Sequence, residues 1–266
     1  MPCCFDGLSA RLIAEAGFEL TFMSGFAVSA ARLGAPDTGL ISYGEMLDQG
    51  RNICAAVPIP VIGDGDTGYG NALNVKRTVR GYAQVGFAGV MIEDQVAPKR
   101  CGHTEGKQTV SREEALVRLR AAVDAREEGD DIVIVARTDA RATHGLEEAL
   151  ARAAAFAELG ADIVFVEALG SVAEMRRACQ SVQKPMLANM LEGGKTPVLP
   201  PAELLALGYK LAAYPLTLLN AAIRAMREAL ASLARGETPA ELLSFPELRR
   251  AVGFDAYDAE AERYAR

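Results

Sequence analysis

The segment GADIVFVEA (160–168) decides the fold. A helical stretch ends in Gly160, an apolar and largely β-branched run follows at once, and Glu167 closes the run. Glycine ends a helix in the left-handed conformation at no steric cost. A short run of Ile, Val and Phe suits a parallel strand buried on both faces. The same junction recurs at Gly17-Phe18, Gly86-Phe87 and Gly208-Tyr209, leading into residues 20–23, 90–92 and 211–213. Residues 58–62, 132–136 and 185–188 and a stub at 1–4 supply further candidate strands, about eight in all.

Helical segments lie between them. Residues 111–127 open with a capping box, Ser111 and Glu114, and place Leu116, Leu119 and Val123 on one face. Residues 146–159 carry Leu146, Leu150, Ala153 and Ala157 in the same register. Alternating strands and helices imply an α/β fold with a parallel sheet, and about eight units favour a closed (β/α)8 TIM barrel over an open doubly wound sheet. The open sheet is also disfavoured because no dinucleotide fingerprint or P-loop is present. The glycines of GDGDTG (63–68) come with two carboxylates that would repel a phosphate. The reading is a barrel domain over 1–235 and a helical tail over 236–266.

The 266 residues, half of them hydrophobic, can bury one large core. A net charge of -7 argues against broad affinity for nucleic acid or an anionic membrane. The longest apolar stretch, 211–223, is short and interrupted by Pro215, so no membrane span is expected. Five cysteines without CxxC spacing imply a reducing, cytoplasmic setting and no disulfide framework.

Polar residues gather at the C-terminal ends of the runs: Asp64 and Asp66, Glu93 and Asp94, Arg137 and Asp139, Glu167, and Asn189. In a barrel this end carries the active site. Any one of them could be a helix cap or a solvated charge, but five strand ends together point to a site. Asp64, Asp66 and Glu93 are hard oxygen donors suited to Mg2+ or Mn2+ rather than zinc. The alternative for these acids is internal ion pairing with Arg137 or Lys99. Arg137 can clamp a carboxylate at two points.

Residues 96–107, VAPKRCGHTEGK, read as a polar, glycine-bearing loop over the barrel mouth. Lys99, Arg100 and His103 around Cys101 would favour its thiolate, making Cys101 a candidate acid-base group rather than a packing cysteine. His144 reads as structural. Cys3, Cys4, Cys54 and Cys179 read as packing residues.

The motifs GDGDTGYGN (63–71), IEDQ (92–95), KRCGH (99–103), ARTDA (136–140), VEA (166–168) and NMLEGGKTP (189–197), spread over nearly the whole chain, resemble the isocitrate lyase/phosphoenolpyruvate mutase superfamily. The resemblance implies a modified (β/α)8 barrel, a homotetramer with C-terminal helices exchanged between subunits, and a small dicarboxylate substrate. By position it implies a carboxylate loop at Ser24, Gly25 and Phe26, followed by Asp37. The metal shell falls on Asp64, Asp66 and Glu93, in part through water. Substrate contacts fall on Arg137, Glu167, Asn189, Thr196 and Pro215, the last within the altered segment YPLTLLN (214–220). Cys101 matches the acid of the lyase branch, with Lys99 and His103 beside it, and Tyr43 is a candidate base from its place after the Asp37 loop. The first strand begins without the preceding helix usual in the family.

The implied reaction is a magnesium-dependent retro-aldol cleavage of a 2-hydroxy dicarboxylate to a 2-oxo acid, with Cys101 protonating the enediolate fragment. Methylisocitrate lyases carry glycine in place of Phe26 and arginine in place of Asn220, which implies a smaller substrate such as 2,3-dimethylmalate or citramalate. Phosphonomutase, oxaloacetate hydrolase or decarboxylase activity, and a noncatalytic binding barrel, are the alternatives. The mutases lack the Cys-Gly-His loop, and a binding barrel would have lost some of the acids.

Overall fold

The computed structural model describes residues 1–102, 104 and 106–265, so His103 and its expected role lie outside the described residues. Eight parallel strands pair in chain order: β1 (Cys3–Cys4), β2 (Thr21–Met23), β3 (Val61–Asp64), β4 (Gly89–Glu93), β5 (Val133–Thr138), β6 (Ile163–Val166), β7 (Met186–Asn189) and β8 (Tyr209–Ala213). The seam between β8 and β1 is closed by a parallel bridge between Pro2 and Tyr214, with Cys3 N–H donating to Tyr214 O at 3.2 Å and Tyr214 N–H to Met1 O at 3.0 Å. The result is the expected α/β barrel.

The helices are α1 (Gly7–Glu15), α2 (Gly25–Val28), α3 (Tyr43–Ala56), α4 (Ala72–Gln84), α5 (Arg112–Glu127), α6 (Ala140–Thr143), α7 (Leu146–Leu159), α8 (Val172–Ser181), α9 (Pro201–Leu207), α10 (Thr217–Ala234), α11 (Phe245–Ala251) and α12 (Phe254–Glu262). Two compact units emerge, Met1–Leu218 and Leu219–Arg266. The expected division at 235/236 falls inside the second, because most of α10 belongs with the segment after it. No described helix is long and apolar enough to cross a membrane.

The glycine junctions form as the sequence predicts, with φ of +84° at Gly17 and +120° at Gly160. Two expectations need correction. Strand β3 spans Val61–Asp64 rather than 58–62, since Pro58 and Pro60 have no N–H to give a ladder. Ser111 caps α5 by accepting from Glu114 N–H at 3.2 Å, but the capping box does not close, because the Glu114 carboxylate binds Arg118 at 2.6 Å instead.

Strand alternation sorts the core. Val90, Ile92, Ile134, Ala136, Val164 and Val166 pack outward against the helices. Cys3, Phe22, Ile62, Met91, Val135, Phe165 and Leu187 form a separate cluster inside the barrel. Each buried aromatic or aliphatic side chain contributes roughly 1.5–3 kcal/mol. Two residues further along each inward row stand Ser24, Asp64, Glu93, Arg137, Glu167 and Asn189, so the apolar interior ends in a polar ring.

Candidate active site

That ring opens into a cavity of about 630 Å³, its open mouth included. Of the residues expected at a site, Ser24, Phe26, Asp37, Asp64, Lys99, Cys101, Arg137, Glu167, Asn189 and Pro215 line it. Gly25, Asp66 and Glu93 stand directly behind the lining. The Gly25 N–H donates to Asp64 Oδ2 at 3.2 Å, and a Cβ on Gly25 would lie 2.6 Å from that oxygen. Asp64 is aimed by its backbone: Asp66 N–H donates to its Oδ1 at 3.1 Å, and the Tyr82 hydroxyl donates to its carbonyl at 2.7 Å. Tyr82 can approach because Gly63 has no side chain; a Cβ there would meet the ring at 2.6 Å.

Two more expected residues, Thr196 and Tyr43, are also absent from the lining. Thr196 is buried in the segment after β7. Tyr43 opens α3, where its hydroxyl packs so close to α4 that a Cβ on Gly81 would meet it at 1.9 Å, and Arg77 stacks over its ring at 4.4 Å. Following the Asp37 loop in sequence does not bring Tyr43 to the cavity, so it is not retained as the base.

Residues 94–102 run over the mouth, and 106–110 return beside their start. Their stem is pinned by Val96 N–H to Gln108 O at 2.8 Å and Val110 N–H to Asp94 O at 2.9 Å. The buried Gln95 side chain grips the Arg100 backbone at both ends, each bond 2.9 Å. Cys101 and Gly102 thereby form part of the cavity wall. Gly102 sits where a Cβ would be 2.4 Å from Glu167 Oε2 and 2.5 Å from Arg137 Nη2.

Lys99, only 5% exposed, drops from this lid between Asp37 Oδ1 at 2.5 Å and Asp66 Oδ1 at 2.9 Å. Burial opposes its charge, yet Asp66, Asp64, Asp37 and Glu93 together hold it protonated well above the usual lysine range. Its charge is thus committed to the acids and is not a spare cation for the Cys101 thiol. Arg137 lies 2.8 Å from Asp139 Oδ2 and 3.3 Å from both Glu93 and Glu167, and Asn189 Nδ2 donates to Glu167 Oε2 at 3.2 Å. The expected alternative of internal ion pairing is therefore real for part of the cluster.

It does not neutralise the cluster. Even with Arg100 counted, Asp37, Asp64, Asp66, Glu93, Asp139 and Glu167 outnumber Lys99, Lys107 and Arg137. Burial raises the proton affinity of Asp64, with Asp66 adding to it, and burial raises Glu93 well above the usual carboxylate range. Glu93 Oε1 is buried without a hydrogen-bond partner. Excess carboxylate, an orphaned oxygen and hard donors fit a divalent cation such as Mg2+. Among the described residues no three His, Cys, Asp or Glu side chains converge as direct ligands. Mg2+ tolerates this, because it keeps several waters and uses one or two carboxylates.

A family model described as phosphoenolpyruvate phosphomutase matches residues 1–234. The chain belongs to the isocitrate lyase/phosphoenolpyruvate mutase superfamily. It is 42% identical to 2,3-dimethylmalate lyase of Eubacterium barkeri over 268 residues, covering 99% of this chain and 92% of that protein. A structure of oxaloacetate acetylhydrolase with 3,3-difluorooxalacetate superposes with a TM-score of 0.95 at 36% identity, covering 100% of this chain and 92% of that one. A phosphonopyruvate hydrolase complex with oxalate and Mg2+ gives 0.87 at 31% identity, covering 99% and 93%. This superfamily chain is accordingly an enzyme whose relatives include lyases, mutases and hydrolases. Sequence reasoning missed Lys107, Gln95 and Arg152 as parts of the frame around its site. Gln95 stood in a quoted motif, whereas Arg152, four residues after Glu148, carries the pattern of an ordinary surface pair.

Proposed function

We propose that the chain is a magnesium-dependent carbon-carbon lyase that cleaves a small 2-hydroxy dicarboxylate of the 2,3-dimethylmalate or citramalate type, or the related tricarboxylate methylisocitrate, to a 2-oxo acid and a carboxylate. The observation that carries this is Cys101, held in the cavity wall by the lid beside Gly102, which packs on the Arg137–Glu167 pair. A thiol there can deliver a proton to carbon at the end of a cleavage.

Asp64, with Asp66 and Glu93 behind it, would hold the cation. A divalent cation held by these carboxylates would supply the positive charge that acidifies a substrate hydroxyl. The hydroxyl proton leaves to a base that belongs among the cavity carboxylates. Electrons of the broken carbon-carbon bond pass to the departing fragment as an enediolate, which Arg137 stabilises by charge. The Cys101 thiol then gives its proton to the α-carbon and is left as thiolate. Asn189 and Glu167 orient the fragment, and Ser24 lines the wall beside Phe26.

Phe26, Leu191, Pro215 and Leu216 make part of the lining apolar, while Lys99 and Arg137 are already ion-paired. The apolar part of the lining suits an alkyl substituent better than a third carboxylate, which favours an alkyl-substituted malate over methylisocitrate. The test is release of 2-oxo acid from a panel of 2-hydroxy dicarboxylates, oxaloacetate and phosphonopyruvate with Mg2+. Cys101→Ser should cost about 10²- to 10⁴-fold in kcat, and undiminished turnover would end the proton-donor role. Oxalate release from oxaloacetate would favour hydrolysis, a second reading suggested by the 36% identity to oxaloacetate acetylhydrolase over the whole chain. Turnover of phosphonopyruvate alone would move the enzyme to the phosphonomutase side. We also assign the exposed Leu230, Leu233, Phe245 and Tyr257 of the second unit to contacts between subunits of a homotetramer, and the enzyme to the cytoplasm.

A further inference from the structure

Lys107 has no part in the chemistry above, yet its side chain is only 2% exposed. Its ammonium donates to the Gly102 carbonyl, on the residue next to Cys101, and to Asp139 Oδ1 at 2.6 Å. Asp139 is a fixed point. Its Oδ2 accepts from Arg137 Nε at 2.8 Å, and its N–H donates to Asp94 Oδ1 at 2.8 Å. Asp94 Oδ2 in turn accepts from Thr138 Oγ1 at 2.7 Å and Arg152 Nη1 at 3.0 Å. One ammonium thus ties the peptide beside the thiol to the barrel frame and to the carboxylate that orients Arg137. A buried lysine is costly unless its charge and donors are met. In the closed lid Asp139 and Gly102 meet them together.

We propose that Lys107 is a positioning residue, a latch that holds the lid shut with Cys101 in the cavity wall and couples closure to Arg137 through Asp139. The inference rests on the lyase reading only for what Cys101 does once it is placed. The test uses the full chain with Lys107→Met and Lys107→Arg. Two measurements need no turnover: iodoacetamide alkylation of Cys101 followed by peptide mass, and trypsin cleavage after Arg100, each with and without oxalate plus Mg2+. In Lys107→Met both rates should rise about 10- to 100-fold, the loss expected for charged hydrogen bonds, and protection by oxalate should weaken. Lys107→Arg, which keeps the charge and donors, should recover part of it. On whichever dicarboxylate the wild type cleaves, kcat should fall with KM little changed.

Unchanged alkylation and cleavage rates in a folded Lys107→Met protein would overturn the latch, as would a rise in KM with kcat intact. Should Lys107→Met fail to fold, Lys107→Gln, which still donates to Gly102 but lacks the charge, undergoes the same measurements and is held to the same outcomes. If no dicarboxylate is cleaved by the wild type, the lyase reading fails while the accessibility results still decide the latch.

Discussion

Glu93 and Asp94 share a peptide bond and are 3% and 2% exposed, but strand alternation sends them into different surroundings. Glu93 faces the barrel interior, with one oxygen 3.3 Å from Arg137 and the other unpartnered. Asp94 faces the helices, where Thr138, the Asp139 N–H and Arg152 satisfy both its oxygens. Equal burial therefore means opposite things. A satisfied buried carboxylate is part of the frame, and an unsatisfied one is held ready for something that arrives later.

The largest effect should come from breaking the satisfied side. Asp94→Ala leaves buried Arg152 with Glu148 as its one remaining carboxylate partner and strips Thr138 Oγ1 and the Asp139 N–H of their acceptor, and should cost about 3–5 kcal/mol of stability, read by urea unfolding; a loss under about 1 kcal/mol would show that the frame does not depend on this carboxylate. Glu93→Gln should do the reverse, lowering kcat/KM by about 10- to 100-fold while leaving the metal-free protein as stable as wild type or more so. The sign follows from the raised proton affinity of Glu93. The folded state binds its proton more readily than the unfolded chain, so its ionisation destabilises increasingly as pH rises above the ordinary value of 4.5. The stability gain of Glu93→Gln should grow over that range, and the rise in Tm on adding Mg2+ should shrink. A Tm increment from Mg2+ equal to that of wild type would remove Glu93 from the cation site.

The smallest effect belongs to the rim of the satisfied network. Arg112 and Arg152 hold the Glu148 carboxylate down to about 2. A depressed carboxylate contributes stability above its ordinary value, and that contribution is lost as pH falls towards about 2. Glu148→Gln should therefore lower Tm slightly at neutral pH and match wild type at pH 2, because solvent screens the pair. A Tm difference that persisted at pH 2 would point to packing instead of charge.

Much of this was legible from period and position. Gly17, Gly86, Gly160 and Gly208 marked four strand starts, because only a residue without Cβ turns there cheaply. Asp64, Arg137, Glu167 and Asn189 were legible because they continue rows of apolar residues at a spacing of two. Contacts made by long side chains across loops left no such trace. Lys99 reaches Asp37 and Asp66 from a loop whose path the sequence does not encode locally, and Lys107 resembles any solvated loop lysine. Tyr43 failed for the converse reason, since chain proximity to Asp37 ends where α3 begins and turns the ring towards α4.

The missing side chain of Gly102 turns the lid into a ruler. With the backbone seated on Glu167 and Arg137, any part of a ligand that projects into the space above that pair must hold the lid away from its seat. A long substrate can then bind and still leave the thiol misplaced, so the enzyme would measure its substrates by whether the loop can finish closing.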